Sequence, residues 1–444
     1  MTEGNVTKVL LAFTIPTLLT NILNALYNMA DSIIIGQFVG AEGLAAVGAN
    51  AFLTMLMVAL FVGAGVGGGV YVAQLVGARK YDELSDAFGC MYCLIALMST
   101  ITGIVANIIA VPLMKAMNTP ANIFDDALIY FRIYCAGLPG LSVYASGSAG
   151  LRSIGDAKAP LYFLIFSAVM NVVLNLLFVV VFHMGVPGVA WATIIAEYLS
   201  AALVLLRTST TKLAKIEINR KTLRLRLPII KVILKLGIPS ALQQGVQSIG
   251  NVLCQRYMNG FGSNAVAAAT SAMRLDGFIL MPAQSISMAM SVFFGQNLAA
   301  KKEERLHQGM RVGIALCVLL SVLLSVVLYI FAEAGMRMFT QDADVIRYGA
   351  QMLRIMCWFY WSMGVFNAFS GILRGAGDTM IVMVISIIGT VLRVPLTYFI
   401  SAKPGSFPNY FWSLIICNIL MMILAGIRYY QGGWKKKVVV TIDD

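Results

Sequence analysis

The sequence predicts an all-α polytopic membrane protein, with twelve transmembrane helices arranged in two pseudo-symmetric six-helix bundles. Three observations support this fold class: the composition, a series of long apolar runs, and a repeat at a fixed offset. Of the 444 residues, 59% are hydrophobic and 12% charged, and the mean hydropathy is +0.83. A soluble domain is about 25% charged. This composition excludes a disordered chain. Seven cysteines are too few for a disulfide scaffold of this length, and an odd number cannot all be paired within the chain.

The apolar runs are long enough to cross a membrane, which takes about 20 residues of helix. They are continuous, unlike the short alternating strands of a membrane β-barrel. The first run lacks a small-residue cleavage site, so we interpret it as a helix and not as a signal peptide. The predicted spans are 9–36, 44–76, 88–114, 124–148, 159–182, 187–206, 229–257, 266–298, 309–332, 346–371, 380–401 and 408–428.

The net charge of +12 is interpreted as a topology signal. Most of the 32 basic residues fall in the tails, the even-numbered turns and the central connection, which contains Lys212 and Lys215, whereas Lys115 and Lys403 fall opposite. Because basic residues stay on the cytoplasmic side, both termini are expected in the cytoplasm and the protein in the cell membrane. The charge then faces anionic lipid and not nucleic acid.

The chain is predicted to be a doubled unit. At an offset of 222 residues, the hexamer 151–156 (LRSIGD) matches 373–378 (LRGAGD), and Gln74 matches Gln296. Six spans per half give a parallel repeat, which places substrate between the halves near the midplane. The alternative is a doubled scaffold without a central cavity. The predicted division is an N-terminal lobe at 1–206, a basic linker at 207–228, a C-terminal lobe at 229–430 and a tail at 431–444.

Polar residues inside the first span form one stripe. Asn24, Tyr27, Asn28 and Asp31 lie at positions i, i+3, i+4 and i+7, which is one helix face. A carboxylate at membrane depth is costly and usually functional. We interpret Asp31 as a site for H⁺ or Na⁺; the alternative is an aspartate that is simply solvated at the mouth.

Two further pairs lie four residues apart on later spans. Asn171 and Asn175 can coordinate Na⁺ or hydrogen-bond Asp31, or they can simply join neighbouring helices. Thr193 and Glu197 share a face of the sixth span. Glu197 lies near the midplane and is expected to face the bundle interior, where its role in coupling, substrate binding or simple pairing stays open.

The second half carries different polar residues. It has Cys254 where Asp31 would map, and it offers Gln243 and Gln244 as cavity residues. Arg274 and Asp276 are interpreted as structural or gating residues. Arg393 occupies the position equivalent to Asn171, where an inward guanidinium can repel cations or bind an anion.

Two features affect the helices themselves. Pro16 removes a backbone donor from the first span and is a candidate hinge. Five glycines between Gly63 and Gly69 either let helices approach closely or make the segment flexible.

Several kinds of chemistry lack support in the sequence. No Walker-type phosphate loop is present, so direct ATP coupling is not expected. His183 and His307 are far apart, and Cys90 with Cys93 has no second pair to complete a metal site. We therefore expect no cofactor, no metal site beyond the possible Na⁺, and neither an intramembrane enzyme nor a receptor.

Four sets of residues together resemble a known family over nearly the whole chain. They are Ile15-Pro16-Thr17, Asp31 followed by Gly36 and Gly40, Gln74 with Gly77-Ala78, and the paired Leu-Arg-x-x-Gly-Asp. With the doubled twelve-span layout, they resemble the multidrug and toxic compound extrusion (MATE) family, in particular its prokaryotic DinF-like branch. The resemblance implies two lobes in a V shape and alternating access.

The resemblance also implies an ion site in the amino-terminal lobe. That site maps onto Asp31, Asn171, Asn175 and Thr193, with Tyr27 and Pro16 at matching distances. Asn175 departs from the family pattern, which has an aspartate there. The aspartate of another branch is also missing from the tenth span at 361–364, so coupling through the amino-terminal lobe is expected.

The expected function is that of an H⁺- or Na⁺-coupled antiporter that exports amphiphilic, cationic small molecules, a multidrug efflux activity. The alternative is a flippase for lipid-linked oligosaccharides, for which Arg274 and Arg393 would be cavity residues. The expected partners are small amphiphilic substrates and membrane lipid, and the expected state is a monomer.

Overall fold

The computed structural model describes residues 1–211, 216–401 and 407–442. Lys212, Lys215 and Lys403 lie outside the described residues. Across these three ranges the chain is built from sixteen α-helices without a β-strand, which confirms the predicted all-α fold class.

Eight helices form the first repeat. Two of them, α1 and α7, continue as π-helical turns at Ile35–Val39 and Leu176–Val181. The helices are α1 (Val6–Ile34), α2 (Ala41–Ala49), α3 (Ala51–Gly77), α4 (Tyr81–Ile108), α5 (Ala110–Ala116), α6 (Phe124–Ser153), α7 (Lys158–Asn175) and α8 (Gly185–Thr210).

Eight more helices form the second repeat, and a 3₁₀ turn at Gly433–Lys437 follows them. They are α9 (Leu227–Asn259), α10 (Ser263–Ala299), α11 (Glu303–Ile330), α12 (Ala332–Arg337), α13 (Ala343–Cys357), α14 (Tyr360–Gly375), α15 (Thr379–Ser401) and α16 (Phe407–Tyr430).

Eleven stretches of helix in the described part of the chain are long and apolar enough to span a membrane. Each overlaps a predicted span. The predicted tenth span is instead divided between α13 and α14. At the break, the Phe359 N–H donates to the Met356 carbonyl and the Ser362 N–H donates to the Phe359 carbonyl. These hydrogen bonds join residues three apart, as in a 3₁₀-helix, and not four apart as in an α-helix.

The backbone repeats at the predicted offset of 222 residues. Three pairs of positions have matching positive φ angles, two made of glycines and one of basic residues in the left-handed region, where side chains are uncommon. The pairs are Gly40 and Gly262 (93° and 92°), Arg79 and Lys301 (58° and 54°), and Gly155 and Gly377 (101° and 91°). The two halves therefore share turn geometry as well as sequence.

Each repeat also closes with the same ion pair. Arg207 of α8 contacts Asp156 at 2.7 Å, and Arg428 of α16 contacts Asp378 at 2.7 Å. Both aspartates end the Leu-Arg-x-x-Gly-Asp motif and precede a helix. The motif therefore ties the last helix of each repeat to the start of the helix before it.

The chain divides into two compact units whose boundaries fall inside helices. One unit comprises Met1–Leu18 with Leu242–Asp444, and the other comprises Leu19–Ala241. The boundaries lie in α1 and α9, each two residues after a proline of that helix, Pro16 and Pro239. The lobe limits drawn from the sequence stay a prediction.

In the Leu19–Ala241 unit, the glycines of α3 serve close approach. A Cβ on Gly63 would lie 2.6 Å from the Cβ of Ala241, and one on Gly67 would overlap the carbonyl oxygen of Ile233. Gly237 returns the contact, since a Cβ there would lie 2.7 Å from the carbonyl oxygen of Gly63. The first half of α9 thus packs directly against α3. Side chains larger than that of glycine at these positions would prevent this close approach.

In the other unit, the segment before α1 is bound to the start of α11. The Arg305 guanidinium donates to the carbonyl oxygens of Glu3 and Gly4, at 3.3 and 2.8 Å. The Lys302 ammonium donates to that of Thr2 at 2.9 Å. These bonds fix the entry into α1.

Candidate functional site

A chain of polar side chains joins α1, α7 and α8 within the Leu19–Ala241 unit. Asn175 Nδ2 donates to Asp31 Oδ1 at 2.8 Å and to Asn171 Oδ1 at 2.9 Å. Asn171 Nδ2 donates to Thr193 Oγ1 at 3.4 Å, and that hydroxyl donates to the Val189 carbonyl at 3.0 Å. The four residues expected to form an ion site therefore lie together.

Helix geometry explains how these side chains meet. Asn171 and Asn175 are one turn apart on α7, so both project from the same face. Both side chains are fully buried, and buried amides need hydrogen-bond partners. Asp31 and Thr193 supply those partners from α1 and α8. Within the cluster, Asn175 Oδ1 is buried without a partner, so the site retains one open acceptor.

Tyr27 and Asn28 have different surroundings although they are adjacent in sequence. Tyr27 lies beside Thr193 and within electrostatic reach of Asp31 and Glu197. Asn28 is exposed, and its amide donates to the Asn24 carbonyl at 2.8 Å. Because consecutive residues lie about 100° apart on a helix, only part of the predicted stripe reaches the cluster.

Glu197 lies one turn beyond Thr193 on α8. Its Oε2 atom is buried and has no hydrogen-bond partner. A cavity of about 30 Å³ lies against it, lined also by Tyr134, Gly137 and Thr193. The carboxyl group therefore borders a small cavity between α6 and α8.

Pro16 is buried in a helix that continues through it from Val6 to Ile34. One residue later, the Thr17 hydroxyl donates to the Phe13 carbonyl at 2.9 Å. A threonine hydroxyl that bonds to the carbonyl four residues earlier often bends a helix. The hinge role stays a prediction.

In the second repeat, the positions equivalent to Asp31 and Asn175 are uncharged, and Arg393 occupies the place of Asn171. Cys254 Sγ contacts Thr397 Oγ1 at 3.8 Å, and Thr397 Oγ1 contacts Ser413 Oγ at 2.8 Å. Cys254 and Thr397 lie at the places of Asp31 and Asn175. The second repeat therefore keeps the arrangement of polar contacts but no ionisable carboxyl group there.

Two of the other predicted cavity residues in the second repeat, Gln243 and Arg393, have hydrogen-bond partners within the protein. Gln243 is buried, donates to Ser386 Oγ at 2.8 Å and accepts from Arg374 at 3.3 Å, whereas Gln244 is exposed. Arg393 donates to Asn251 Oδ1 at 2.9 Å.

Arg274 and Asp276 have unlike surroundings. Arg274 is exposed, whereas Asp276 Oδ1 is buried beside Tyr360. Sequence reasoning did not place Asp276 among the site residues, and its only signal was a carboxylate inside an apolar run. Within the ranges that the structure describes, no cluster of three metal-ligating side chains occurs.

The sequence was compared with known families and proteins. The family model MatE matches residues 16–177 and again residues 239–399. The probable multidrug resistance protein YpnP of Bacillus subtilis is 30% identical over 442 residues, covering 99% of this chain and 98% of that protein. The probable multidrug resistance protein YoeA of the same organism is 26% identical over 437 residues, covering 97% and 94%.

Solved structures share the fold. A crystal structure of MATE in the bent conformation matches with a TM-score of 0.91 at 22% identity, covering 98% of both chains. An outward-facing multidrug resistance MATE family transporter of the MOP superfamily matches with a TM-score of 0.88 at 23% identity, covering 98% and 97%. The two matches of one family model, one in each repeat, cover most of the chain. The chain therefore belongs to the MATE family of multidrug efflux transporters, which are secondary transporters and not enzymes and need no cofactor.

Proposed function

We propose that this protein is a proton-coupled antiporter that exports amphiphilic, cationic small molecules by alternating access. The observation that carries the proposal is the hydrogen bond between Asp31 and Asn175, at 2.8 Å. It joins a carboxyl group at membrane depth to an uncharged amide, so a proton arriving at Asp31 changes a contact between α1 and α7.

A proton fits the cluster better than Na⁺. Hard metal cations surround themselves with several oxygen ligands. Here the Asn171 oxygen and the Thr193 hydroxyl already take part in hydrogen bonds inside the cluster, and one carboxyl group is present. A proton needs a single basic atom, which Asp31 provides.

The cycle follows from the change of charge. Ionised Asp31 accepts strongly from Asn175, because charged acceptors make the stronger hydrogen bonds. Protonation weakens this bond and frees α1 to bend at Pro16. Substrate binding then favours the state in which Asp31 is ionised. A ligand shifts a conformational equilibrium only if its affinity for the two states differs, and this difference links efflux to proton entry.

The substrate class is supported by the relatives and by the charge of Asp31. Several relatives are named multidrug resistance or multidrug export proteins. Organic cations are attracted to a carboxylate at membrane depth. A flippase for lipid-linked oligosaccharides is less well supported, because Arg393 is bound to Asn251.

The proposed placement is a monomer in the cell membrane, with both termini in the cytoplasm. The charge asymmetry supports this orientation. The tail adds Lys435, Lys436 and Lys437 to the same side, where they face anionic lipid.

The function is tested in liposomes that contain the purified protein and a fluorescent cationic dye. A pH gradient or a Na⁺ gradient is imposed alone, and Asp31→Asn is compared with native protein and with Asp125→Asn, an exposed carboxylate at the start of α6. We expect efflux with the pH gradient, its loss in Asp31→Asn and its retention in the control. Efflux driven only by Na⁺ would reassign the ion, and native efflux by Asp31→Asn would contradict the proposal.

A further inference from the structure

The proposed cycle leaves two buried carboxyl groups without a role, Glu197 and Asp276, and Glu197 is the one that lies one helical turn from Thr193 of the proposed ion site. Glu197 lies near the middle of α8, a candidate membrane span that runs from Gly185 to Thr210. Its Oε2 atom is buried without a hydrogen-bond partner. An ionised carboxylate is expensive in such a place unless a cation or a donor compensates it. The position therefore favours a carboxyl group that is protonated or neutralised by a cation.

The adjacent cavity limits what that cation is. At about 30 Å³ it has room for a water molecule, which needs roughly 10–15 Å³. Gly137, Leu141 and Ile194 supply apolar walls, and the hydroxyl groups come from Tyr134 and Thr193. The few oxygens of the lining do not surround a metal cation. A proton, delivered through a water molecule, matches both size and chemistry.

Glu197 is also connected to the Asp31 cluster. Thr193, which lines the cavity, accepts from Asn171, and Asn171 accepts from the same Asn175 amide that donates to Asp31. Tyr27 lies within electrostatic reach of both carboxyl groups. The other titratable groups that face Glu197 are Tyr134 and Tyr144 of α6. The surroundings thus contain hydroxyls that can relay a proton.

We propose that Glu197 is a second proton-binding carboxyl group, so that two protons enter for each substrate molecule exported. The inference rests on the proposed function, which uses Asp31 alone. In the conformation described here Glu197 carries a proton, because its buried Oε2 atom has no hydrogen-bond donor beside it. In the opposite conformation water reaches the cavity and the proton leaves. The proton affinity of Glu197 then differs between the two states, as coupling requires.

The stoichiometry determines whether transport moves charge. Exchange of one monovalent cation for one proton is electroneutral, whereas exchange for two protons carries one net positive charge inward. Purified protein in membranes on a solid-supported electrode is given a jump of ethidium, a monovalent cationic dye, and the current is recorded. Proton movement is followed in parallel with a pH-sensitive dye trapped in liposomes. The variants are Glu197→Gln and Glu42→Gln, whose exposed side chain only accepts a hydrogen bond from Asn122.

We expect native protein and Glu42→Gln to show both an ethidium-dependent current and proton movement. Glu197→Gln should keep ethidium-dependent proton movement and lose the current. Native exchange without current, or a current of native size in Glu197→Gln, would overturn the inference.

A second measurement detects protonation of carboxyl groups directly and does not depend on transport. It therefore tests the inference even if a variant folds but does not transport. Infrared difference spectra between acid and alkaline pH detect the carbonyl stretch of protonated carboxyl groups in reconstituted protein. One such band should disappear in Glu197→Gln and a different one in Asp31→Asn. If Glu197→Gln removes no band, the inference is wrong even if efflux is proton-driven. If native protein shows no exchange, the proposed function is wrong. A band lost in Glu197→Gln would then establish the proton site alone, and the proposed ratio of two protons per substrate would be wrong together with the function.

Discussion

Asn175 holds the proposed ion site together, because its one amide nitrogen serves two acceptors. It bonds Asp31 at 2.8 Å and Asn171 at 2.9 Å while being fully buried. An aliphatic side chain of similar size would fill the space without donating. The carboxyl group of Asp31 and the amide oxygen of Asn171 would then lose their donor in a buried place.

We expect Asn175→Leu to lose coupled efflux and to lower the free energy of unfolding by about 1–3 kcal/mol, the usual effect of leaving a buried polar group unpaired. Dye efflux in liposomes and the melting temperature in detergent measure the two effects. Asn107→Leu is the control, because its exposed amide makes a single bond, to the Arg132 carbonyl at 3.2 Å. Coupled efflux at the native rate in Asn175→Leu would contradict the assignment.

At this scale the sequence predicted which residues meet but not what surrounds them. Asp31, Asn171, Asn175 and Thr193 were predictable, because spacing on a helix and a family resemblance both point to them. The cavity beside Glu197 was not predictable, because part of its lining comes from Tyr134, Gly137 and Leu141 of another helix. The exposure of Gln244 beside the buried Gln243 likewise depends on which neighbours α9 has.

Among the elements, α3 depends on glycine more than its apolar sequence suggests. The sequence left open whether the run from Gly63 to Gly69 is flexible or closely packed. The structure shows close packing, because Cβ atoms on Gly63 and Gly67 would collide with α9, and one on Gly69 would lie 3.0 Å from Ser153 Oγ.

Gly67→Ala should therefore destabilise the protein by about 1–3 kcal/mol, the usual cost of overpacking, because the new methyl group meets the backbone oxygen of Ile233 and not a flexible side chain. Gly48→Ala is the matched control. It lies in α2, where no heavy atom would come within 4 Å of the new methyl, and helix propensity favours alanine by about 0.5–1 kcal/mol. Melting curves of the two variants should shift in opposite directions. A Gly67→Ala protein as stable as the native one would mean that α9 moves away easily.

The two equivalent ion pairs offer a comparison between repeats. Asp378 is 3% exposed and its partner Arg428 is 21% exposed, whereas Asp156 is 8% and Arg207 42% exposed. Removing one partner of a buried pair costs about 3–5 kcal/mol, because the other charge stays buried, and an exposed pair is worth much less. We expect Arg428→Gln to lower the melting temperature more than Arg207→Gln does. Equal shifts would show that water reaches both aspartates equally.

For the whole molecule, the doubled architecture was predictable and the limits of its compact units were not. The offset of 222 residues can be recognised in the sequence because the hexamers 151–156 and 373–378 repeat, and two of the turns with positive φ angles keep a glycine. The unit boundaries inside α1 and α9 cannot be recognised there, because an apolar run does not reveal which neighbour each half of a helix packs against. Contacts between residues far apart in sequence, such as Gly237 and Gly63, determine which unit each half of α9 belongs to.

The positions of Pro16 and Pro239 give a test at this scale. Each boundary between units follows a proline by two residues, and a proline inside a helix removes a backbone hydrogen bond, at a cost of about 3 kcal/mol, and permits bending. If alternating access bends α1 and α9 there, Pro16→Ala and Pro239→Ala should each raise the melting temperature and slow dye efflux severalfold. Pro282→Ala, inside α10 and away from either boundary, should raise stability without slowing transport. Equal slowing in all three variants would mean that helix rigidity in general, and not bending at the unit boundaries, limits the cycle.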